Sequence, residues 1–265
     1  MTILSTEKLT KSFGGLTAVS NVFMKLEEGE LIGLIGPNGA GKTTLFNLLT
    51  GVYTPTSGSI LFQVGGTYER IDGEKPYAIC GKGVARTFQN IRLFKNLTVL
   101  DNVRIAMHKD VKYGIMRGIL RTKGFHEEEE RVRGESMELL KILKLDDKKD
   151  EKAKNLPYGE QRHLEIARAL AARPTLLLLD EPAAGMNPAE TAELTELISS
   201  IRKKFNLTIL LIEHDMSLVM KICERIYVLD YGKIIANGTP EDIRSDKQVI
   251  EAYLGEDVSR GDDDA

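Results

Sequence analysis

One stretch of eight residues constrains this chain more than any other: Gly36-Pro37-Asn38-Gly39-Ala40-Gly41-Lys42-Thr43 satisfies the pattern G-x-x-x-x-G-K-[ST] in full. Glycines at those places let backbone N–H groups close around phosphate oxygens with no Cβ in the way. Lys42 supplies a point charge for the β- and γ-phosphates of a nucleotide, and the Thr43 hydroxyl can complete a Mg²⁺ shell, with Thr44 next to it. The flanks agree. Leu31–Ile35 (LIGLI) is a short apolar run that predicts a buried parallel strand. TTLFNLLT predicts a helix that closes at Gly51 and aims its positive dipole end at the loop.

A second pattern supplies carboxylates. Leu176-Leu177-Leu178-Leu179-Asp180-Glu181-Pro182 is a buried strand ending in two acids. Asp180 at the strand tip can hold Mg²⁺, mostly through water. Glu181 points elsewhere and can take the proton of an attacking water; the plainer alternatives are a helix cap or a lysine partner. Together the two patterns define an α/β chain with a P-loop NTPase parallel-sheet core, but they leave kinases, GTPases, helicases and transport motors open. No Asn-Lys-x-Asp guanine reader occurs in the sequence.

Further predicted elements follow the same alternation: a helix over 161–172, a helix over 188–204, and strands over 208–212 and 226–229. A turn at Ser57-Gly58 and another at Gly65-Gly66 bracket 59–64 and predict an antiparallel hairpin. The middle, 90–155, reads as helical, with Ile115, Met116, Ile119 and Leu120 at helical spacing and i,i+4 pairs Glu127–Arg131 and Glu129–Arg133. The four-glutamate run there is expected near a helix N-terminus. Residues 112–124 mix four basic side chains with that apolar set; a helix covering the core is the favoured reading, a membrane-surface helix the other. Lys plus Arg is 36 against 39 Asp plus Glu, a net charge of −3, which excludes a strongly basic nucleic-acid binder. The two cysteines, Cys80 and Cys223, are far apart and suggest neither disulfide scaffold nor zinc ribbon. No apolar run approaches the roughly 20 residues of a bilayer span, and the start lacks a signal-peptide pattern. The expectation is a soluble cytoplasmic chain that meets a membrane through a partner.

Beyond these patterns, nearly the whole chain resembles the nucleotide-binding subunits of ABC (ATP-binding cassette) transporters. Leu156-Pro157-Tyr158-Gly159-Glu160-Gln161, running into RHLEIARALAARP, looks like that family's signature segment. Gln89 in RTFQN matches its Q-loop glutamine, His214 in LIEHDM its switch histidine, and Phe13 in KSFGG the aromatic that stacks on adenine. The resemblance implies one ABC ATPase domain over 1–255. Its core and antiparallel β subdomain would come from 1–89 and 160–255, and its inserted α-helical subdomain from 90–159; an acidic, disordered tail would occupy 256–265. It implies ATP and Mg²⁺ as cofactors, with Thr43, Gln89 and Asp180 on the metal and Glu181, His214 and Gln89 as the catalytic set. It also implies a head-to-tail pair, each ATP lying between one subunit's P-loop and the other's signature segment.

Departures sharpen the resemblance. Pro157, Tyr158 and Glu160 replace the second, third and fifth residues of Leu-Ser-Gly-Gly-Gln, and Asn187 replaces an acid after the carboxylate strand. With GVARTFQNIRLFKNLTVLDNV and VIEAYLG, they make the chain similar to the ATPases of branched-chain amino acid importers. The implied partners are two integral-membrane permease subunits, a second similar ATPase (a mixed pair before an identical one) and, indirectly, a periplasmic or extracellular solute-binding protein, with no nucleic acid. The implied location is the cytoplasmic face of the membrane, peripherally bound. Urea or another amide-type solute is the competing cargo. A soluble, non-transport ABC ATPase is disfavoured by the single P-loop and the lack of sustained heptads, and a phosphotransferase by the lack of an acceptor site.

Overall fold

The computed structural model describes residues 1–107 and 123–253. Two sheets organise it. A four-stranded antiparallel sheet has the order β2-β1-β4-β5 and is built from β1 (Thr2–Phe13), β2 (Leu16–Glu27), β4 (Ser57–Val64) and β5 (Thr67–Arg70). A six-stranded sheet, of order β10-β9-β3-β8-β7-β6, holds β3 (Leu31–Ile35), β6 (Val84–Arg86), β7 (Leu176–Asp180), β8 (Thr208–Ile212), β9 (Arg225–Asp230) and β10 (Lys233–Gly238). It is parallel except for β10, which returns antiparallel to β9.

Helices cover both faces of the larger sheet. They are α1 (Lys42–Leu49), α2 (Pro76–Gly81), α3 (Val99–Ala106), α4 (Lys123–Ile142), α5 (Tyr158–Ala171), α6 (Pro188–Phe205), α7 (Met216–Ile222) and α8 (Pro240–Ser245). The central strands are apolar on both faces, and their period of two divides them between two cores. Leu31, Leu177, Leu179, Ile209, Leu211 and Val228 pack with α3, α4, α5 and α6. Ile32, Leu34, Leu176, Leu178, Leu210 and Leu229 pack with α1 and the antiparallel sheet, against Leu45, Phe46, Met24 and Phe62. Truncating one of these fully buried leucines to alanine costs about 2–5 kcal/mol.

The predicted central strands and the helices after them form within a few residues of expectation. α1 ends where expected, with Gly51 just beyond it at φ +71°. Elsewhere the structure differs. Ser57-Gly58 lies inside β4 as a bulge, not a turn: Gly58 has φ +88°, and a Cβ there would meet the Lys8 carbonyl at 2.4 Å. The turn precedes it, and 57–64 pairs with 67–70 as the expected hairpin. Of the helical middle, 90–98 is not helical among the described residues, and two short 3₁₀ turns follow α4. Arg131 pairs with Glu128 and Glu135, and Glu129 reaches Arg104, in place of the anticipated i,i+4 pairs. The basic apolar segment 112–124 lies almost wholly outside the described residues, as does the acidic tail. No described helix is long and apolar enough to cross a membrane.

Candidate functional site

At the tip of β3 the chain passes so close to its neighbours that two loop positions exclude a side chain. Gly36 has φ +147°, and a Cβ on it would sit 1.9 Å from the Leu229 carbonyl oxygen. Gly41 has φ +106°, and its Cβ would sit 2.3 Å from the Ala18 carbonyl oxygen. The Gly232 N–H donates to the Ala40 carbonyl at 2.8 Å, tying the loop to the β9–β10 turn. Lys42 is buried at the start of α1, and its ammonium donates to the carbonyls of Gly36 at 2.6 Å and Pro37 at 2.8 Å. Pro37, Asn38 and Gly39 complete the bend, Thr43 is exposed and Thr44 half-buried. The first turn of α1 contains no acid, so its N–H groups and dipole favour an anion there.

β1 ends in Phe13. Its exposed ring meets Tyr53 edge-on, centroids 5.2 Å apart, and the Lys11 ammonium stands 5.0 Å from its centroid. Tyr53 was not legible in the sequence as a neighbour, because the hairpin β1–β2 and the turn after α1 meet only in the fold.

The carboxylates end β7. Asp180 is buried and accepts from Arg86 Nη2 at 2.6 Å, both side chains being nearly inaccessible. Arg86 also donates to Asn47 Oδ1 at 2.7 Å and has its guanidinium 5.0 Å from the Phe88 ring centroid. Glu181 follows at φ +47°, a left-handed conformation that non-glycine residues seldom adopt and that turns the side chain out of the strand. One Glu181 oxygen accepts from Gln89 Nε2 at 2.6 Å; the other lies 2.5 Å from His214 Nε2. Two side chains from beyond the tips of β6 and β8, Gln89 and His214, thus converge on the one carboxylate that follows β7. No lysine partner is present in that triad, and Glu181 does not cap α6.

Two further residues at this site were not picked out from the sequence. Glu213, buried beside His214, accepts from the Ala183 N–H at 2.7 Å and from the His214 N–H at 3.2 Å, fixing the backbone after Glu181. Burial pushes its carboxyl up, with the Glu181 charge adding to the effect. Arg162 is fully buried at the second turn of α5, against the segment that bears Gln89. Both contacts span long sequence separations, which no local pattern signals.

The signature segment forms the start of α5. Leu156 is buried, Pro157 is the N-cap, and Gln161 donates back to the Leu156 carbonyl at 2.8 Å. Tyr158 is exposed, and Glu160 pairs with Lys148. A Cβ on Gly185 would lie 3.6 Å from the Tyr158 ring and one on Gly159 3.6 Å from Glu190, so the segment adjoins the loop after Glu181. Asn187, the residue in the acid's place, is the N-cap of α6; its side chain accepts from the N–H groups of Ala189 and Glu190, and Glu190 closes the capping box. Cys223 is buried and its thiol is pushed up to about 12 by burial, and the half-buried Cys80 lies outside the carboxylate cluster.

A glycine loop closed on a buried lysine, a carboxylate held by a glutamine and a histidine, and a helix start adjoining the loop after that carboxylate can be set beside known families. Residues 19–184 match the family model described as ABC transporter, and the chain belongs to the ABC transporter ATPase family. Residues 233–259 match a second model, the branched-chain amino acid ATP-binding cassette transporter. The chain is 49% identical over 254 residues to the high-affinity branched-chain amino acid transport ATP-binding protein LivG of Escherichia coli, covering 96% of this chain and 98% of that one. It is 47% identical, over the same shares, to the corresponding protein BraF of Pseudomonas aeruginosa. Among solved structures, the ADP conformation of MJ1267, an ATP-binding cassette of an ABC transporter, superposes with a TM-score of 0.82 at 32% identity, covering 96% of this chain and 99% of that one.

Proposed function

We propose that this chain is the ATP-hydrolysing motor subunit of an importer of branched-chain amino acids. The observation that supports the chemistry best is Glu181, gripped by Gln89 and His214 just past the tip of β7. In this reading the loop from Gly36 to Thr44 binds the ATP phosphates, and Phe13 stacks on the adenine. Lys42 exchanges its carbonyl partners for phosphate oxygens. Glu181 orients a water and accepts its proton, while the His214 imidazole holds the carboxylate and faces the γ-phosphate.

Thr43 Oγ1, the Gln89 side-chain oxygen and the Asp180 carboxylate would supply hard-oxygen donors of the kind Mg²⁺ takes alongside phosphates and water. The metal would neutralise charge on the phosphates when bound. Asp180 is already matched to a cation through Arg86, which is consistent with a position that expects positive charge.

Across a head-to-tail pair, residues Leu156–Gln161 would face the neighbouring subunit's ATP. Pro157 and Tyr158 remove the family's serine hydroxyl, so that contact rests on backbone N–H groups at the α5 start. The membrane subunits would dock over the cleft of about 430 Å³ beside the Gln89 segment, bordered by Phe88, Arg92, Arg168, Ile79 and Ala106. In this reading the chain sits at the cytoplasmic face of the membrane, held there by its partners.

The test is a mild-detergent pull-down followed by uptake. Two multispan proteins with a second, similar ATPase are expected, and vesicles of that complex should accumulate leucine in an ATP-dependent manner. Uptake of urea or another amide with none of leucine would reassign the cargo. Recovery of ribosomal proteins with no membrane subunit would sink the transport reading.

A further inference from the structure

Arg162 is the largest side chain with no accessible surface in the described structure. Taking a guanidinium out of water costs several kcal/mol unless its N–H groups find partners. Here Nη1 donates to the Phe88 carbonyl at 2.7 Å and to Glu165 Oε2 at 2.7 Å; Nη2 donates to the Gln89 carbonyl at 2.9 Å and toward Tyr158 Oη at 3.3 Å. Glu165, one turn on, accepts from the N–H groups of Phe88 and Arg92, each at 3.3 Å. One ion pair on α5 therefore takes up four main-chain polar groups of 88–92, a segment with no helix or strand of its own to satisfy them.

A structural anchor alone does not need this chemistry, since a buried ion pair is often replaceable by apolar packing without loss of stability. What distinguishes it is where its two ends lead. The Gln89 carbonyl is bonded to Arg162, and the Gln89 amide donates to Glu181. Four residues back along α5 from Arg162 stands Tyr158, at the third place of the signature segment, about 6 Å away at the helical rise per residue. A helical turn is stiff, so Gln89 cannot shift relative to Glu181 without moving the start of α5 or breaking buried hydrogen bonds.

From this we infer that Arg162, seated by Glu165, is a positioning residue that links the chain's own nucleotide site to its signature segment: Glu181–Gln89–Arg162–Tyr158 acts as one mechanical unit. The inference rests on the assignment of 36–44 as the nucleotide site.

Hydrogen exchange of the full chain, with and without Mg²⁺ and a non-hydrolysable ATP analogue, tests it. The protein is kept dilute enough for light scattering to report a monomer, so that no neighbour protects the segment. In the parent, peptides over 36–45 and over 155–163 should both slow on adding the analogue, by at least threefold. In Arg162→Lys and Glu165→Gln, the first peptide should keep its response within about twofold while the response of the second disappears. Glu165→Gln retains shape and one acceptor oxygen, and it decides the matter if Arg162→Lys does not fold. An undiminished response of 155–163 in the variants overturns the linkage, as does a parent in which 36–45 responds and 155–163 does not. A parent in which neither peptide responds overturns the nucleotide assignment along with it.

Discussion

His214 Nε2 lies 2.5 Å from Glu181 Oε1, although 33 residues separate them in sequence. The contact exists because β7 and β8 are parallel neighbours in register, Asp180 opposite Ile212, so the residues just past both tips emerge side by side. The Glu181 N–H donates to the Ile212 carbonyl at 2.9 Å, extending the ladder one step beyond the strand.

Glu181→Gln keeps the volume and one acceptor oxygen for the Gln89 amide but removes the basic oxygen. Hydrolysis should fall by roughly 10²-fold or more, with nucleotide affinity changed by less than a few-fold. Phosphate release under single-turnover conditions, with fluorescent-nucleotide titration alongside, measures both. Near-normal turnover would remove Glu181 from the role of base.

Lys42→Ala acts on the ground state instead. Its ammonium sits within 2.8 Å of two loop carbonyls and beside the phosphate cradle, so the same titration should give at least a tenfold weaker Kd. Unchanged affinity would mean that Lys42 serves only to close the loop.

Arg86→Met leaves the buried Asp180 carboxylate without its cation. Breaking such a pair costs about 3–5 kcal/mol. Thermal unfolding should show a Tm lower by several degrees, and Mg²⁺ with nucleotide should recover more of it than in the parent. A Tm within a degree of the parent would mean that Asp180 finds other compensation.

His163 supplies a pH signature. Burial in the α5–α6 contact pushes its imidazole down, against the opposing charges of Glu193 and Glu160 and with that of Lys144. The unfolded chain therefore takes up the proton first, and stability should fall as pH drops through the unfolded value near 6.5 toward the lower folded one. Replacing His163 by Gln should flatten the Tm-versus-pH curve between pH 7 and 5. An equally steep curve in the variant would assign the slope to other groups.

Legibility in the sequence followed the range of the interactions. β3, β7, β8 and β9 announce themselves as continuous apolar runs because both faces are buried, and the glycines of 36–41 as a motif because backbone must approach backbone. β1 and β2 did not, since their alternation is broken by bulges and positive-φ residues such as Lys8 and Asn21. β6 is three residues long, too short for any period. Gln89, Glu181 and His214 could be named singly, but not as one contact. Arg86, Arg162 and Glu213 stayed hidden because each acts on a group far away in the chain.

The two-faced strands have one more consequence. Where one face of a strand is polar, a slip of one residue is forbidden by hydrophobicity; in Leu176–Leu179 it is not, because both faces accept leucine. Alignment must be indexed by something other than greasiness. Asp180 against Arg86 supplies one index, since a slip would strand a charge among leucines. Gly33 supplies another, since a Cβ there would crowd Val219 and Cys223 at 3.1 and 3.2 Å, and a slip would bring Ile32 or Leu34 to that spot. The charged tip of β7 is thus also the fiducial mark by which the strands find their places, and a deletion of one residue in β7 should cost the fold before it costs the chemistry.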